Sequence, residues 1–235
     1  MRLLVSVTRE DETGPAVQGG ADILDVKNPA EGSLGAPVPR TLRAICAAAP
    51  KDMPVSVAIG DAPMLPGTMA LAAFGAASCG VRYVKVGLCG PRDERQAEAL
   101  LRAVVLAVRD ASPETLVMAA GYADAAETGG VLPASMPGVA ARSGADGCML
   151  DTLRKGPGRS LFSVLQRDQV ENFVGECRER GLASALAGSL GLGHMPLLRA
   201  IGPDIVGVRS AICGGDRAGG SVDADAVRRL KKALA

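Results

Sequence analysis

Three lysines stand where a solubilising charge is out of place. Lys27 closes the apolar run Ile23-Leu24-Asp25-Val26-Lys27, Lys85 sits inside Tyr83-Val84-Lys85-Val86-Gly87, and Lys155 follows Cys148-Met149-Leu150-Asp151 by four residues. The other three lysines, Lys51, Lys231 and Lys232, read as surface residues. Lysines make up only six of the 26 basic residues, so arginine serves wherever any positive charge will do. An amine kept inside a strand is therefore read as needed for its own chemistry. Lysine can lose its proton on burial and attack a carbonyl; arginine stays charged and is no nucleophile.

Asp25 and Asp151 accompany these amines. Side chains alternate along a strand, so Asp25 and Lys27 share one face and Val26 takes the other. Desolvation, with Lys85 and Lys155 as neighbouring cations, favours a neutral Lys27 and hence a Schiff base. Asp25 and Asp151 oppose that shift but can hold the amine and move protons. The plainer alternative is a structural network of buried Lys–Asp pairs. Magnesium held by Asp25, Asp61 and Asp151 is a further alternative, weakened by the lysines that already supply positive charge.

Other chemistries find little support. The only histidine, His194, precedes Met195-Pro196 at an expected helix start, so a Ser-His-Asp or Cys-His triad would depend on it entirely. The six cysteines lack CxxC or finger spacing, and they read as small buried thiols rather than a zinc site. A net charge of +1 argues against a nucleic-acid footprint. The first residues turn polar too soon for a signal peptide, and no apolar run is long enough for a membrane span. A cytoplasmic, reduced, soluble protein without a metal is expected, one that assembles as a homo-oligomer.

The elements that position these residues are legible. Apolar residues are 48% of the 235 and aromatics 2%, so the core must be aliphatic. A recurrent phrase of Gly, a small and a polar residue precedes apolar runs at Gly20, Gly80, Gly144 and Gly202. Glycine there is a left-handed helix C-cap. The intervals of 60, 64 and 58 residues each hold two βα units, giving about eight in all. Strands are expected near Leu3–Val7, Ile23–Lys27, Val55–Gly60, Tyr83–Leu88, Leu116–Gly121, Cys148–Asp151, Ser184–Gly188 and Ile205–Val208. They are short continuous apolar runs, as strands buried on both faces must be. Ala97, Leu100, Leu101, Val104, Val105 and Val108 recur at helical spacing; Val170, Phe173, Val174 and Cys177 do so behind a cap expected at Asp168; a last helix runs from about Asp223. With no linker in view, residues 1–235 read as one (βα)8 TIM-barrel domain. A doubly wound sheet is the alternative, but the Thr8–Gly14 turn lacks GxGxxG.

A barrel's active site lies at the C-terminal ends of its strands, where Asp25, Lys27, Asp61, Lys85, Tyr122, Asp124, Asp151 and Lys155 fall. Gly188-Ser189 after strand 7, and Arg209 with Gly214-Gly215-Asp216-Arg217 after strand 8, stand where barrels often hold a phosphate. The Asn28–Gly35 loop after strand 2 either closes over a ligand or caps the next helix.

Asp25-Val26-Lys27-Asn28-Pro29-Ala30-Glu31-Gly32-Ser33-Leu34-Gly35-Ala36 carries a more specific signal. Together with Tyr83–Leu88, Ala119–Asp124, Met149–Thr152 with Lys155, Ala187–Ser189, and Gly207–Arg209 with Gly214–Arg217, it closely resembles the (5-formylfuran-3-yl)methyl phosphate synthase family, the 4-HFC-phosphate synthases of methanofuran biosynthesis. The resemblance implies a TIM-barrel lyase that joins two glyceraldehyde 3-phosphate molecules into a furan, losing phosphate and water. It implies a Schiff base on Lys27, Lys85 as proton acceptor, and Asp25, Asp151 and Lys155 assisting, with no external cofactor. Another class I aldolase-type barrel acting on sugar phosphates, or a catalytically silent barrel binding a phosphorylated metabolite or a partner protein, are the competing expectations.

Overall fold

The computed structural model describes all 235 residues. Eight strands pair in chain order: β1 Arg2–Val7, β2 Ile23–Val26, β3 Val55–Asp61, β4 Tyr83–Gly87, β5 Leu116–Tyr122, β6 Gly147–Asp151, β7 Ala183–Leu186 and β8 Ile205–Val208. Every pairing is parallel, and β8 returns to β1 to close the barrel. All eight expected strands are present. β2 ends at Val26, so Lys27 lies one step beyond the ladder, and β7 stops two residues short of Gly188.

The unbroken apolar look of these strands comes from burial on two sides. Leu3, Val5, Leu24, Val26, Val84, Val86, Cys148 and Leu150 point out into the layer beneath the helices. Leu4, Ile23, Tyr83, Met118, Met149 and Ile205 point in and fill the lower barrel. Farther along the same strands the inward positions become Ser6, Asp25, Lys85 and Asp151, all buried. The barrel is thus apolar at its floor and charged at its mouth, and the alternation of a few strands sets that gradient.

The helices follow their spacing. In Glu94–Ala111 the six apolar residues of the expected stripe are all buried, and Asp93 caps the helix by accepting from the Gln96 N–H at 2.8 Å. Fully burying side chains such as Leu100 and Leu101 stabilises by about 1.5–3 kcal/mol each. Gly20, Gly80, Gly144 and Gly202 all adopt positive φ where helix gives way to strand. Asp223 accepts from the Asp225 and Ala226 N–H groups and starts the last helix, Ala224–Leu234. One cap differs from expectation. Helix Arg167–Glu179 starts from Gln166, whose N–H donates to Gln169, and Asp168 lies inside the first turn. A carboxylate there favours the helix through its dipole instead. Only Cys148, Cys177 and Cys213 are buried; Cys46, Cys79 and Cys89 are partly exposed. No helix is long and apolar enough to cross a membrane.

Candidate active site

Asp25 lies at the centre of the barrel mouth with no solvent exposure. Its Oδ2 accepts from Ser6 Oγ at 2.9 Å, and its Oδ1 lies 2.7 Å from Lys85 Nζ. The Oδ1 contact is an ion pair without hydrogen-bond alignment. Lys85 is itself 2% exposed, so both charges are deep in the barrel. Such a pair persists because removing either partner would strand the other charge out of water.

Lys27 is also buried, but its ammonium forms no ion pair and no side-chain hydrogen bond. Burial lowers its pKa from 10.5 to about 8; Asp151 and Asp25 pull the other way, and Lys85 and Lys155 add to the lowering. Desolvation therefore wins over two nearby carboxylates because neither touches the amine.

Across the mouth, Asp151 ends β6. Lys155 Nζ donates to its Oδ1 at 2.5 Å and to Thr152 Oγ1 at 2.9 Å, while the Thr152 N–H donates to the same Oδ1 at 2.7 Å. Burial alone would raise the Asp151 pKa, but Lys155, Lys27 and these hydrogen bonds outweigh it and hold the carboxyl at about 2. The loop that carries Lys155 is anchored from below. Asp124 accepts from the Leu153 and Arg154 N–H groups and from Arg159, which folds the chain back so that Lys155 meets Asp151.

One cavity joins these groups. Ser6, Asp25, Lys27, Lys85, Asp151 and Lys155 line it on one side; Gly188, Ser189, Arg209, Ser210 and Arg217 line it on the other. All five residues expected to do chemistry are therefore together. The expected phosphate residues divide. Gly188, with φ of +104°, and Ser189 open onto the cavity, and so does Arg217, whose guanidinium reaches the Gly32 and Ser33 carbonyls at 3.4 Å. Gly215 borders a neighbouring hollow, and Gly214 borders neither. Asp216 closes its own turn by accepting from the Ala218 and Gly219 N–H groups.

Arg209 lines the cavity and is also held from several sides by the protein. Glu12 takes two of its N–H groups at 2.8 and 3.0 Å, and the Ser6, Arg217 and Gly220 carbonyls take others at 2.9–3.0 Å. Thr8 lies at 3.5 Å from the same guanidinium. The residue is 5% exposed and ties β1 to the β8 loop. Sequence reasoning missed Glu12, which is buried although it lies in a turn rich in acidic residues.

The Asn28–Gly35 loop crosses the mouth and does not cap the next helix, Pro39–Ala48, whose cap position is Val38. Asp61 holds it: its carboxylate accepts from the Ser33 and Leu34 N–H groups at 2.8 and 3.2 Å and from the Tyr122 hydroxyl. Ser33 Oγ then donates to the Thr152 carbonyl at 2.9 Å, which fastens the loop to β6. Asp61 is thus engaged by the loop and stands apart from Asp25 and Asp151. No group of three or more His, Cys, Asp or Glu side chains is placed to hold a metal ion.

The sequence profile described as 4-HFC-P synthase matches residues 3–231. The chain belongs to the 4-HFC-P synthase family. It is 50% identical over 235 residues to the (5-formylfuran-3-yl)methyl phosphate synthase of Methanothermobacter thermautotrophicus, covering 100% of this chain and 99% of the relative. It is 48% identical to the synthase of the same name from Methanocaldococcus jannaschii, with 99% of each chain covered. Among solved structures, a 3-hexulose-6-phosphate synthase superposes with a TM-score of 0.68 at 19% identity over all of both chains. Phosphoribosyl anthranilate isomerase from Thermus thermophilus superposes with a TM-score of 0.62 at 19% identity, covering 100% of this chain and 98% of that one. Those two likenesses, at 19% identity, are likenesses of barrel; the 4-HFC-P synthase match includes the lysine-bearing segments.

Proposed function

We propose that this chain is a (5-formylfuran-3-yl)methyl phosphate synthase of methanofuran biosynthesis that joins two glyceraldehyde 3-phosphate molecules through an imine on Lys27. The observation that carries the reading is the Lys27 amine: buried, unpaired and lowered to about 8, in a cavity whose other amines are paired to carboxylates. Full-length relatives bearing that name support it.

Two triose phosphates give one furan aldehyde phosphate, one phosphate and two waters, so no oxidant or reductant enters. Lys27 Nζ attacks the aldehyde carbon of one molecule, and the carbinolamine loses water to become a protonated imine. Lys85 rests as an ammonium against Asp25, so it supplies the proton that water needs on leaving. It is then neutral and can take the proton from the carbon next to the imine, with Asp25 stabilising the returned charge. The imine withdraws the electrons released there, which permits expulsion of phosphate from the third carbon and later carbon–carbon bond formation. Lys155, held on Asp151, faces the departing phosphate as a proton donor. The imine is the electron sink, so the reading calls on no added cofactor. Gly188, Ser189, Gly215 and Arg217 make up the phosphate-facing side, with Arg209, Gly214 and Asp216 shaping the β8 loop.

Incubation with glyceraldehyde 3-phosphate and borohydride, followed by peptide mass analysis, tests this. A reduced adduct on Lys27 and release of the furan aldehyde phosphate are expected. A folded protein that forms no adduct on any lysine would return the chain to the silent-barrel alternative, and an adduct with a different product would make it another aldolase-type barrel.

A further inference from the structure

A second hollow adjoins the amine cavity and shares part of its wall. Lys155, Ser189, Ser210 and Arg217 line both. The outer hollow adds Arg159, Ser160, His194 and Gly215, has Pro157 as its one apolar side chain, and contains no carboxylate. The amine cavity, by contrast, includes Asp25 and Asp151. A recess walled by cations, hydroxyls and glycines, with no acid among them, selects for an anion.

Three features show that this recess is built. The first is His194, whose Nδ1 accepts the Gly191 N–H at 3.1 Å and whose ring stacks on Phe162 with centroids 5.6 Å apart. With Nδ1 used as acceptor, the neutral ring carries its proton on Nε2, a donor at a fixed place. The second is Arg159. Its NH2 pairs with Asp124 and Glu127, yet its Nε is buried with no hydrogen-bond partner. A buried unpaired donor in an otherwise well-paired protein asks for a ligand or a water. The third is Ser189, on the wall common to both hollows, with φ of +52°. It is the only non-glycine residue at positive φ, a strained conformation that gathers at functional sites.

We propose that the outer hollow is a second phosphate subsite, with His194 Nε2–H, Arg159 and Ser189 as positioning donors beside Arg217 and Lys155. The inference rests on the proposed reaction in one respect: two triose phosphates bring two phosphate groups to one mouth. The inner site keeps the aldehyde of the first molecule at Lys27; the outer one holds the second molecule by its phosphate, with its carbon chain directed inward past Lys155. Two phosphate dianions crowded into one pocket would repel each other, and separate subsites remove that cost.

The lone histidine makes the test direct, because its imidazole resonance belongs to one residue. Inorganic phosphate titrated into the full chain should shift the His194 ring signals saturably. The same shift should persist in Lys27→Met protein, where no imine can form. In steady state, His194→Phe keeps the ring that stacks on Phe162 but lacks the donor; it should raise the KM for glyceraldehyde 3-phosphate about ten-fold with kcat within roughly two-fold. His194→Gln, which retains an N–H donor, should recover part of that loss. An unmoved His194 signal at saturating phosphate, or an unchanged KM in His194→Phe, overturns the proposal. Should the phenylalanine variant misfold, the titration of the native chain decides alone. Failure here leaves borohydride trapping at Lys27 unaffected, and failure of trapping leaves the phosphate titration interpretable.

Discussion

Asp25 pairs with Lys85 from β4 at 2.7 Å and not with Lys27, which lies two residues along on its own strand's face. Ser6 Oγ occupies the other carboxylate oxygen. The mouth therefore contains two lysines paired to carboxylates, Lys85 and Lys155, and one, Lys27, left unpaired. Their surroundings, and not their residue type, set Lys27 apart, and that difference is what the proposed division into proton carrier and nucleophile rests on.

The first consequence is a pH dependence. Lys27 must be neutral to attack, and burial sets its pKa at about 8. Imine formation should rise as pH increases through about 8 and level off above it. The rate of borohydride-trapped adduct against pH measures this. A flat profile through that region would show that the amine is already neutral or that attack does not limit trapping.

The same amine should weaken the fold. Its folded pKa of about 8 lies below the ordinary 10.5, so the folded chain binds the proton less tightly than the unfolded one. The penalty is fully present below about pH 8 and fades as pH rises towards the unfolded value. It amounts to about 3 kcal/mol at neutral pH. Lys27→Met should therefore abolish turnover and raise the urea midpoint at pH 7, with the advantage shrinking in alkali. An inactive variant with no gain in stability would mean that the lysine is better solvated than its burial implies.

Lys85→Met should act oppositely. It leaves Asp25 buried and unpaired, at a cost of about 3–5 kcal/mol. Adding Asp25→Asn removes the stranded charge and should recover much of that loss. Denaturant melts of both single variants and the double variant measure the coupling. Simple additivity would show that the 2.7 Å contact contributes no coupling to stability.

The barrel was legible because its signals are local and repeated. Each strand is a short apolar run, and four are announced by a glycine that turns out at positive φ. The shared face of Asp25 and Lys27 follows from alternation alone, and both do line the cavity. Pairing across the barrel was not legible. Which lysine meets Asp25 depends on the twist between β2 and β4, and Arg209 finds Glu12 across 197 residues of chain. Asp61 counted among the charges of the mouth, and as a candidate magnesium ligand, because it ends a strand, yet it serves the Asn28–Gly35 loop. Position at a strand end says that a charge faces the mouth; only the fold says whether another part of the protein already holds it.

That distinction separates Arg209 from Arg217. Sequence position alone suggests that both grip phosphate. Arg209→Ala removes a buried guanidinium and strands the Glu12 carboxylate, so a loss of about 3–5 kcal/mol in stability is expected. Arg217 is half-buried, opens onto both hollows and makes only two long contacts to carbonyls at 3.4 Å. Arg217→Ala should raise KM several-fold with little change in the melt. Melting curves and steady-state kinetics on the two variants distinguish the roles. A normal melt for Arg209→Ala with a raised KM would give that arginine back to the phosphate.

Gly32 tests whether the loop over the mouth matters to turnover. Its φ is +141°, and a Cβ there would lie 2.0 Å from Asp61 Oδ2. Gly32→Ala must therefore either strain the loop or push Asp61 away from the Ser33 and Leu34 N–H groups. The barrel below is untouched by either change, because Asp61 ends its strand and the loop lies beyond it. Lys27 is five residues before Gly32, so a released loop opens the amine to water and lets its pKa climb back towards 10.5. The expected outcome is a folded enzyme with slower adduct formation at neutral pH and a pH midpoint moved upward. Asp61→Asn should do the same more mildly, since an amide oxygen can still accept one of the loop's N–H groups. A variant with unchanged adduct kinetics would show that the amine's environment is set by the barrel alone.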